Sequence, residues 1–584
     1  MNRRMLLISV IVLLAARGTG IGGGAARADV RLNPLFSDNL VLQRDIKVPI
    51  WGTAAPDEKV TLSFAGQSAG AVAGKDGKWR VVLEPLAASK EPRELVVSAK
   101  NTVTIKNILV GEVWLACGQS NMDFPLYDAF GGNEAAQRAD YPTIRFYKVA
   151  QRMASKPQDT APGAWGGWVV CTPDKAPKFA AVPFFFVREL SAKLDVPFGV
   201  VDGSWWFTQP HAWSSRELLE SDPDFKIAIE AYDKRVADSQ KLLDDYLKRL
   251  QQWKDDVDRS DAAGVPVRPI VGPPDLPQVS QWMRPMGPYN AMIAPLMPFA
   301  IRGVIWHQGE SNNGAPQYRK LFPALITDWR RRWGQGDFPF LFVQLTNMQQ
   351  GKYDPANQPW VDMREAQAAA LKLPNTGMAV PIDIGQFDDV HPRNKADVGH
   401  RLALLAEKIA YGKDVVASGP TYQSMKVDGD KIVLKFSGVG SGLVARDIAI
   451  SEELKNRLRE QGDADQLIHP GGGAGAGAGL NWFVIAGADQ IFYPAQAKID
   501  GDSVIVWSPE VSKPAAVRYA WADNPEGVNF YNKEGLPAAP FRTDAWPSPT
   551  TMPDKNFVSR GMERPLVWPR PATLPARATM PAKK

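Results

Sequence analysis

The sequence predicts an α/β protein with a mainly parallel central sheet and a β domain on either side of it along the chain. Between about residues 108 and 412, apolar runs suited to buried strands alternate with helical segments, which is the rhythm of βαβ units. Before and after this region, short segments alternate apolar with polar residues, as half-buried strands do.

The length of 584 residues is too great for one ordinary domain, and the composition, with 45% hydrophobic and 22% charged residues, is that of a globular protein. A charged helical stretch at about 223–280 interrupts the central domain and is interpreted either as a long helix lying over it or as a lid. The predicted units are a signal peptide (1–28), an N-terminal β domain (29–107), the central α/β domain (108–414), a C-terminal β domain (415–545) and a proline-rich tail (546–584).

The N-terminus has the pattern of a secretory signal. Arg3 and Arg4 precede an apolar run from Met5 to Ala16, which is too short to span a bilayer comfortably. Ala26-Arg27-Ala28 offers a small-x-small cleavage site, so we expect cleavage after Ala28 and a secreted or periplasmic protein. No later segment is long and apolar enough to cross a membrane.

Charge and cysteine content exclude several classes of function. The net charge is +5, but four arginines lie in residues 1–28, so the remainder carries about +1 and has no electrostatic footprint for nucleic acid. Cys117 and Cys171 are either a disulfide or two buried thiols. Because the five histidines are scattered, we expect no metal site, and we expect no cofactor. The sequence leaves the oligomeric state open.

Ligands of parallel sheets bind beyond the carboxyl ends of the strands, so the residues that follow each strand are the candidates for function. Buried strands are predicted at Val110–Cys117, Phe198–Gly203, Ile301–His307, Phe338–Leu345 and Met378–Ile384. Helices are predicted at Ala180–Leu194, Phe225–Val257, Pro316–Trp333, Met363–Leu373 and Asn394–Tyr411.

The first candidate is Ser120, which follows the strand in GEVWLACGQSNM. A serine at a strand-to-helix turn exposes its hydroxyl beside the free N–H groups of a helix start, and these can stabilise an oxyanion. The alternative is that Ser120 only caps the helix.

The second candidate is His391 in DDVHPRNKADVGHRL, placed just before a helix. An acid close to a histidine can accept its Nδ1 proton and leave Nε2 facing a serine. Asp388 stands three residues before the histidine and Asp389 two. The alternative is an Asx turn with an exposed histidine.

The third candidate is the polar cluster after the strand in VIWHQGESNN, with Gln308, Glu310, Ser311 and Asn312. Side-chain amides at this position could donate to an oxyanion, and Ser311 is a competing nucleophile. The alternative is a polar loop with a turn at Gly309.

These motifs resemble those of the sialate O-acetylesterase family, carbohydrate acetylesterases of the SGNH-hydrolase superfamily. The resemblance covers about residues 30–545 and is carried by LFSDNLVLQRD, GEVWLACGQSNM, YNAMIAPL, GVIWHQGESN, MREAQ, DDVHPRNKADVGHRLAL and GLPAAPFRTD. It implies a three-layer α/β/α catalytic domain flanked by β domains, an acetylated carbohydrate substrate and no metal.

The resemblance also implies roles for individual residues. Ser120 becomes the nucleophile and His391 the general base, oriented by Asp388 or Asp389; the superfamily's usual spacing slightly favours Asp388. The donors to the oxyanion are the Ser120 N–H and the side chain of Gln308, with Asn312 as a further candidate. Residues expected to contact substrate are Gln119, Trp206, Phe207, Glu310 and Arg364, although Arg364 is also interpreted as structural.

The chain departs from the family at one loop. Relatives carry a glycine pair after Ser-Trp, whereas this chain reads Ser204-Trp205-Trp206-Phe207-Thr208. Losing the glycines either removes one oxyanion N–H or supplies two aromatic rings that contact a different sugar.

The function predicted is therefore an exported serine esterase that removes O-acetyl groups from sialic acid or an acetylated polysaccharide. The alternatives are a catalytically impaired carbohydrate-binding protein on the same fold and an esterase for other acyl groups.

Overall fold

The computed structural model describes residues 29–263, 284–312, 314–348, 359–448, 456 and 479–546. The expected signal peptide, part of the stretch 223–280 and nearly all of the expected tail lie outside the described residues.

The N-terminal region is built from short strands. In β4 the side chains of Val60, Leu62 and Phe64 are buried and alternate with exposed ones, as their spacing predicts. The strands are β1 (Arg31–Leu32), β2 (Val41–Gln43), β3 (Val48–Thr53), β4 (Lys59–Phe64), β5 (Gln67–Val72), β6 (Lys78–Leu83), β7 (Ser89–Ser98) and β8 (Thr102–Gly118).

Strand β8 joins this region to the central sheet. It has 17 residues; its first part pairs antiparallel with β7 and parallel with β2, and its last part forms the middle of the central sheet. The expected boundary between residues 107 and 108 therefore falls inside a continuous strand and not in a linker.

The central region alternates strands and helices as predicted. Its elements are α1 (Ser120–Asp123), α2 (Gly132–Gln137), β9 (Tyr141–Lys148), β10 (Val169–Cys171), α3 (Ala181–Leu194), β11 (Phe198–Asp202), α4 (Arg216–Glu220), α5 (Pro223–Ala263), β12 (Gly303–His307), α6 (Ala315–Trp333), β13 (Phe340–Val343), α7 (Pro359–Ala368), β14 (Thr376–Ala379) and α8 (Lys395–Ile409). Single turns of 3₁₀-helix lie at Leu126–Asp128, Ala176–Lys178, Pro210–Trp213, Ala294–Leu296 and Ala369–Lys372, and a π-helical turn at Tyr289–Ile293.

The central sheet has the order β10-β9-β11-β8-β12-β13-β14, and every neighbouring pair is parallel except β10 with β9. The five predicted strands are present, although β14 ends at Ala379 and not at Ile384. Strand β9 was not predicted. The carboxyl ends of β8 and β12 are level, because Gly118 lies opposite His307.

Helices cover both faces of this sheet. On one face Trp306 and Phe340 pack with Phe322 and Trp329 of α6. On the other face Trp114 packs edge-on against Phe186 of α3, and α3 and α8 share a buried cluster with Ile305 and Leu341. Adjacent residues of β12 and β13 thus point to opposite cores, which is why these strands are apolar throughout.

The predicted helical excursion is confirmed as the 41-residue helix α5. Its first turns pack on the domain through Phe225 and Ile229, whereas Leu242 and Leu247 are half exposed. The interpretation of this segment as a lid stays a prediction.

The last described region consists of strands in three small sheets, ordered β15-β16-β21-β20, β17-β23 and β19-β18-β22-β24. The strands are β15 (Thr421–Asp428), β16 (Lys431–Ser437), β17 (Leu443–Ala445), β18 (Phe483–Ala486), β19 (Phe492–Pro494), β20 (Gln496–Asp500), β21 (Ser503–Trp507), β22 (Ala516–Tyr519), β23 (Phe530–Asn532) and β24 (Phe541–Arg542).

Arg364 of α7 links this region to the central sheet through hydrogen bonds. Its guanidinium donates to the carbonyl oxygens of Leu345 and Thr346, which follow β13, at 3.0 and 2.6 Å. It also donates to those of Ala522 and Asp523, which follow β22, both at 2.7 Å. The side chain is fully buried, so these carbonyls replace water around the charge.

Cys117 and Cys171 are both buried free thiols, so of the two sequence-based alternatives the structure supports thiols. Among the described helices, none combines the length and the apolar character needed to cross a membrane.

Candidate active site

The site is built on the turn from β8 into α1. Gly118 has φ +134°, and a Cβ there would lie 2.1 Å from the carbonyl oxygen of His307 on β12. Only glycine permits this approach. The same His307 carbonyl accepts a hydrogen bond from Gln119 N–H at 2.9 Å, and α1 then begins at Ser120.

Ser120 and His391 meet at the carboxyl edge of the sheet. The Ser120 Oγ lies 2.7 Å from His391 Nε2, although 271 residues separate them. Gln119 occupies the N-cap position of α1, so Ser120 is the first helical residue and not its cap. The hydroxyl is thus positioned to donate to the imidazole, as a nucleophile activated by a base requires.

The acid beside His391 is Asp389. Its Oδ1 accepts the backbone N–H of His391 at 2.8 Å and lies 3.8 Å from Nδ1. Asp388, which the superfamily spacing slightly favoured, is exposed to solvent. Of the two candidates, the geometry thus favours Asp389, because the Asx turn before His391 directs that carboxylate and not its neighbour toward the ring.

A buried amide links the nucleophile helix to the histidine loop. Asn121 Nδ2 donates to the carbonyl oxygen of Val390 at 2.9 Å and to Glu310 Oε1 at 2.5 Å. Asn121 Oδ1 accepts from Lys395 Nζ, also at 2.5 Å. Both hydrogens of Nδ2 and the oxygen of the amide are therefore used. Ser120 stands next to Asn121 in the chain, and His391 stands next to Val390, whose carbonyl this amide binds.

The charges around Asn121 are buried. Burial lowers the pKa of Lys395 to about 7, although Glu310 and Asp389 oppose the shift, and its ammonium lies 4.7 Å from the centre of the Phe124 ring. Burial alone would raise the pKa of Glu310, but His307, 3.4 Å away, outweighs it and the pKa is lowered. Burial and then Lys395 hold the pKa of His391 below its usual value, which keeps the imidazole neutral and able to act as a base.

The candidate oxyanion donors are arranged differently from the expectation. Gln308 is fully buried, and its Nε2 donates to Asn312 Oδ1 at 2.6 Å, Gln119 Oε1 at 3.1 Å and the Thr208 carbonyl at 3.2 Å. Its amide is therefore engaged within the protein and supports Asn312. Because Asn312 Oδ1 faces Gln308, its Nδ2 points away from Gln308, which keeps Asn312 as a candidate side-chain donor.

The loop that lacks the glycine pair keeps a glycine conformation. Phe207 has φ +61°, in the left-handed region that a bulky side chain rarely adopts. The loop is anchored because Trp205 N–H donates to the Gly118 carbonyl at 3.0 Å. The Trp206 ring centre lies 5.4 Å from that of His391 and 6.3 Å from that of Phe207. The Trp206 ring thus stands beside His391, and Phe207 stands beside Trp206 on a backbone under strain.

A second polar cluster lies beside α1. Lys148 at the end of β9 contacts Asp123 of α1, Asp202 of β11 at 2.8 Å and Ser204 Oγ at 3.2 Å. Although burial opposes the shift, the two carboxylates raise the pKa of Lys148. This cluster ties the nucleophile helix to the opposite side of the sheet edge.

Three residues that are expected to contact substrate are buried inside the protein. Gln119 and Arg364 are 2% and 0% exposed, and Glu310 is 9% exposed with one oxygen on Asn121. Each is held inside the protein by the contacts described above. For Arg364 this supports the structural one of its two interpretations, and substrate contact by Gln119 and Glu310 stays a prediction. Trp206 and Phe207 are partly exposed and remain available.

Sequence reasoning missed Asn121, Lys395, Lys148 and Asp123. One signal existed for Lys395, the first residue of α8: a lysine in the first turn of a helix opposes the helix dipole and calls for a specific partner. Among the described residues, no cluster of histidine, cysteine, aspartate or glutamate has the arrangement to hold a metal ion.

Comparison with known proteins agrees with this geometry. A family model described as carbohydrate esterase, sialic acid-specific acetylesterase, matches residues 277–408. Rat sialate O-acetylesterase (Rattus norvegicus) is 29% identical over 452 residues, which are 71% of this chain and 79% of the rat protein. The human protein (Homo sapiens) is 27% identical over 466 residues, 74% of this chain and 79% of the human protein. The crystal structure of a carbohydrate acetylesterase from Xanthomonas citri is 36% identical with a TM-score of 0.71, covering 88% of this chain and all of that one.

A serine and a histidine in contact at the carboxyl edge of a parallel sheet define a serine hydrolase arrangement on an α/β fold. The similarities narrow this class to enzymes that cleave carboxylic esters. The chain belongs to the sialate O-acetylesterase family of carbohydrate esterases, as its motifs predicted.

The strain at Phe207 is testable by comparing two replacements that both remove the ring. The free energy of unfolding of Phe207→Gly should be about 1 kcal/mol higher than that of Phe207→Ala, because only glycine adopts a positive φ without strain. Denaturant unfolding measures the difference. The control is the same pair at Trp206, where φ is not positive and alanine should be the more stable replacement. An alanine advantage at Phe207 would contradict the assigned backbone conformation.

The choice between the two aspartates predicts different kinetics. Asp389→Asn should lower kcat on an acetyl ester by roughly 10- to 100-fold, because the charge that orients and stabilises the imidazolium is lost. Asp388→Asn is the matched control and should stay within about twofold of the unaltered enzyme, since this residue is exposed. The reverse ranking would restore the sequence-based preference for Asp388.

The buried charge of Lys395 predicts a shift in the pH profile. Lys395 is protonated below about pH 7, and its charge lowers the pKa of His391, whereas Glu310 and Asp389 raise it. In Lys395→Met the pKa of His391 should therefore rise, and the acidic limb of kcat/KM should move to higher pH. Lys408→Met, an exposed position on the same helix, should leave the limb in place. An unchanged limb, or a move to lower pH, would show that Lys395 does not act on His391.

Proposed function

We propose that this esterase removes O-acetyl groups from carbohydrates through an acetyl-serine intermediate, with Ser120 as nucleophile and His391 as general base. The observation that carries the proposal is the 2.7 Å contact between Ser120 Oγ and His391 Nε2. Asp389 supports the base role, because its carboxylate lies on the Nδ1 side of the ring and favours the tautomer with a free Nε2.

In the first half of the reaction, Ser120 Oγ attacks the acetyl carbonyl while its proton passes to His391 Nε2. The carbonyl oxygen becomes an oxyanion, for which the Ser120 N–H at the start of α1 and the Nδ2 of Asn312 are the nearest candidate donors. The tetrahedral intermediate collapses, the bond to the sugar oxygen breaks, and His391 returns the proton to that oxygen. The sugar leaves with a free hydroxyl, and the acetyl group stays on Ser120.

In the second half, water takes the place of the sugar. His391 accepts a proton from the water, whose oxygen attacks the acetyl-serine carbonyl at the same donors. When this intermediate collapses, His391 protonates Ser120 Oγ and acetate departs. A neutral imidazole is needed at both attacks, and the lowered pKa of His391 favours that form.

The substrate class is an acetylated carbohydrate, either sialic acid or an acetylated polysaccharide. The relatives support it, since the mammalian proteins are sialate O-acetylesterases and the Xanthomonas protein is a carbohydrate acetylesterase. Trp206 would contact the sugar or the acetyl group, because its ring centre lies 5.4 Å from that of His391. Phe207 would extend this aromatic surface, because its ring packs beside that of Trp206.

Two finer features are part of the same proposal. The catalytic unit is a three-layer domain of the SGNH type, which is supported by the helices on both faces of the parallel sheet. The protein is exported to the periplasm or medium, which is supported by the basic and apolar pattern of residues 1–16 and by the cleavage site at Ala28.

The alternative of a carbohydrate-binding protein with a degenerate site is less well supported. It was motivated by Trp206 and Phe207 in place of the glycine pair. Phe207 keeps the left-handed conformation that glycine would adopt, and Ser120 and His391 remain in contact. The loop therefore carries two aromatic rings in a conformation that glycine would also allow, and the reacting pair is still in contact.

The nucleophile is tested by comparing two serines in the same active-site region. Ser120→Ala should lower acetate release by at least about 1000-fold, because no other group can form the acetyl-enzyme. Ser311→Ala, which removes the competing candidate, should keep most of the activity. The substrates are an acetyl ester chromogen, O-acetylated sialic acid and acetylated xylan, and the preferred one identifies the sugar. Activity that survives Ser120→Ala and disappears with Ser311→Ala would overturn the assignment.

A further inference from the structure

Three aromatic side chains are exposed among the residues that the structure describes. Phe130 is 54% exposed, Tyr127 47% and Trp165 37%, whereas every other described aromatic residue is buried or half-buried. Single exposed apolar residues are common, but exposed aromatic rings that share one region of the surface mark a binding site. The position of each ring relative to Ser120 and His391 decides whether the three rings can bind the same ligand as the active site.

Phe130 is attached to the loop that carries His391. Its N–H donates to the carbonyl of Arg393 at 2.9 Å, and the Arg393 guanidinium lies 5.1 Å from the centre of the ring. Arg393 is held in turn by the Asp128 carbonyl, which its Nε reaches at 2.6 Å. Because Arg393 follows His391 by two residues, the Phe130 backbone lies within about 10 Å of that of His391. The ring is thus an exposed surface on a segment that is attached to the His391 loop.

Tyr127 and Trp165 lie on segments attached to the nucleophile helix. Tyr127 belongs to the 3₁₀ turn Leu126–Asp128, which begins three residues after α1 ends. The Trp165 ring centre is 5.5 Å from that of Phe179, whose carbonyl accepts the Leu126 N–H at 2.8 Å. The neighbouring Ala164 N–H donates to the carbonyl of Lys148, the residue that contacts Asp123 of α1.

We propose that Tyr127, Phe130 and Trp165 form an aromatic subsite that binds neutral sugar units of a polysaccharide whose acetylated unit occupies the Ser120–His391 site. The inference rests on the proposed function and adds that the natural substrate is a chain, not a free sugar. A sugar ring presents an apolar face of C–H groups that packs on an aromatic ring, and hydroxyl groups at its edge that seek polar partners.

The surroundings of the rings favour a glycan over other occupants. Asp128, Asn133 and Arg393 are exposed between and beside them, so the surface offers separate rings with polar groups at their edges. A protein partner or a membrane would call for a contiguous apolar patch, which these residues interrupt. The loop from His391 to Arg393 also links the Phe130 backbone to the active site, so one extended ligand would span both.

The experiment compares a substrate that fills only the active site with substrates that extend beyond it. The kcat/KM values for p-nitrophenyl acetate and for acetylated neutral xylo-oligosaccharides of increasing length are measured for the full chain and for Tyr127→Ala/Phe130→Ala and Trp165→Ala. Ile491→Ala is the matched control, because Ile491 is also 54% exposed but lies in the C-terminal region.

We expect the double variant to lose about tenfold in kcat/KM on the longer oligosaccharides, and less on the shortest, because each stacked ring contributes a few-fold in binding. Activity on p-nitrophenyl acetate should stay within about twofold, as should all activities of Ile491→Ala. Equal losses on both substrate classes, or no loss on either, would overturn the subsite. Failure of the proposed function would look different from failure of the subsite. If the proposed function were wrong, Ser120→Ala would still hydrolyse p-nitrophenyl acetate.

Discussion

The close approach of β8 to β12 at Gly118 is the constraint on which the rest of the site depends. With no side chain at this position, the His307 carbonyl can also accept the Gln119 N–H, and this bond turns the chain into α1. Ser120 is then fixed at the sheet edge, and Asn121 is directed inward to the carbonyl before His391. Ser120 and His391 come from distant parts of the sequence, yet a single amide connects the residues beside them.

The Asn121 amide stabilises the site because it hydrogen-bonds to two charged groups, each of which would be unfavourable if buried without polar partners. A buried lysine and a buried glutamate each lose their hydration, which costs several kcal/mol per ion unless other polar groups replace water. Asn121 offers its oxygen to Lys395 and its hydrogens to Glu310 and Val390, so both charges are partly compensated without a direct ion pair. Burial lowers the pKa of His391 most, the charge of Lys395 lowers it further, and the carboxylates of Glu310 and Asp389 limit the shift. The polar groups behind the site therefore set both its geometry and its acid–base balance.

The sequence predicted the parts of the fold that depend on periodicity and on strand ends. The apolar runs of β8, β11, β12 and β13 are buried on both faces. Ser120 and His391 were predicted as site residues because each is a polar residue that follows the carboxyl end of a predicted strand. Strand β9 was not predicted because it contains a charged residue, Arg145. In the structure Arg145 is buried and donates to the carbonyls of Asn39, Asn107 and Pro142. The two interpretations of Arg364 stayed open for the same reason: a motif arginine that binds distant backbone looks, in sequence, like one that binds a ligand. Long-range hydrogen bonds of this kind leave no local pattern.

Arg364 also bears on how such a protein can change over evolutionary time. One guanidinium bridges two parts of the chain through four main-chain oxygens, and main-chain oxygens are present whatever side chains stand there. The C-terminal strands can therefore diverge freely in sequence while the joint persists. Transplanting the central region onto another protein without those strands would leave a charged group in the interior with half its partners gone. The two parts are thus expected to be inherited together and not to be shuffled as separate modules.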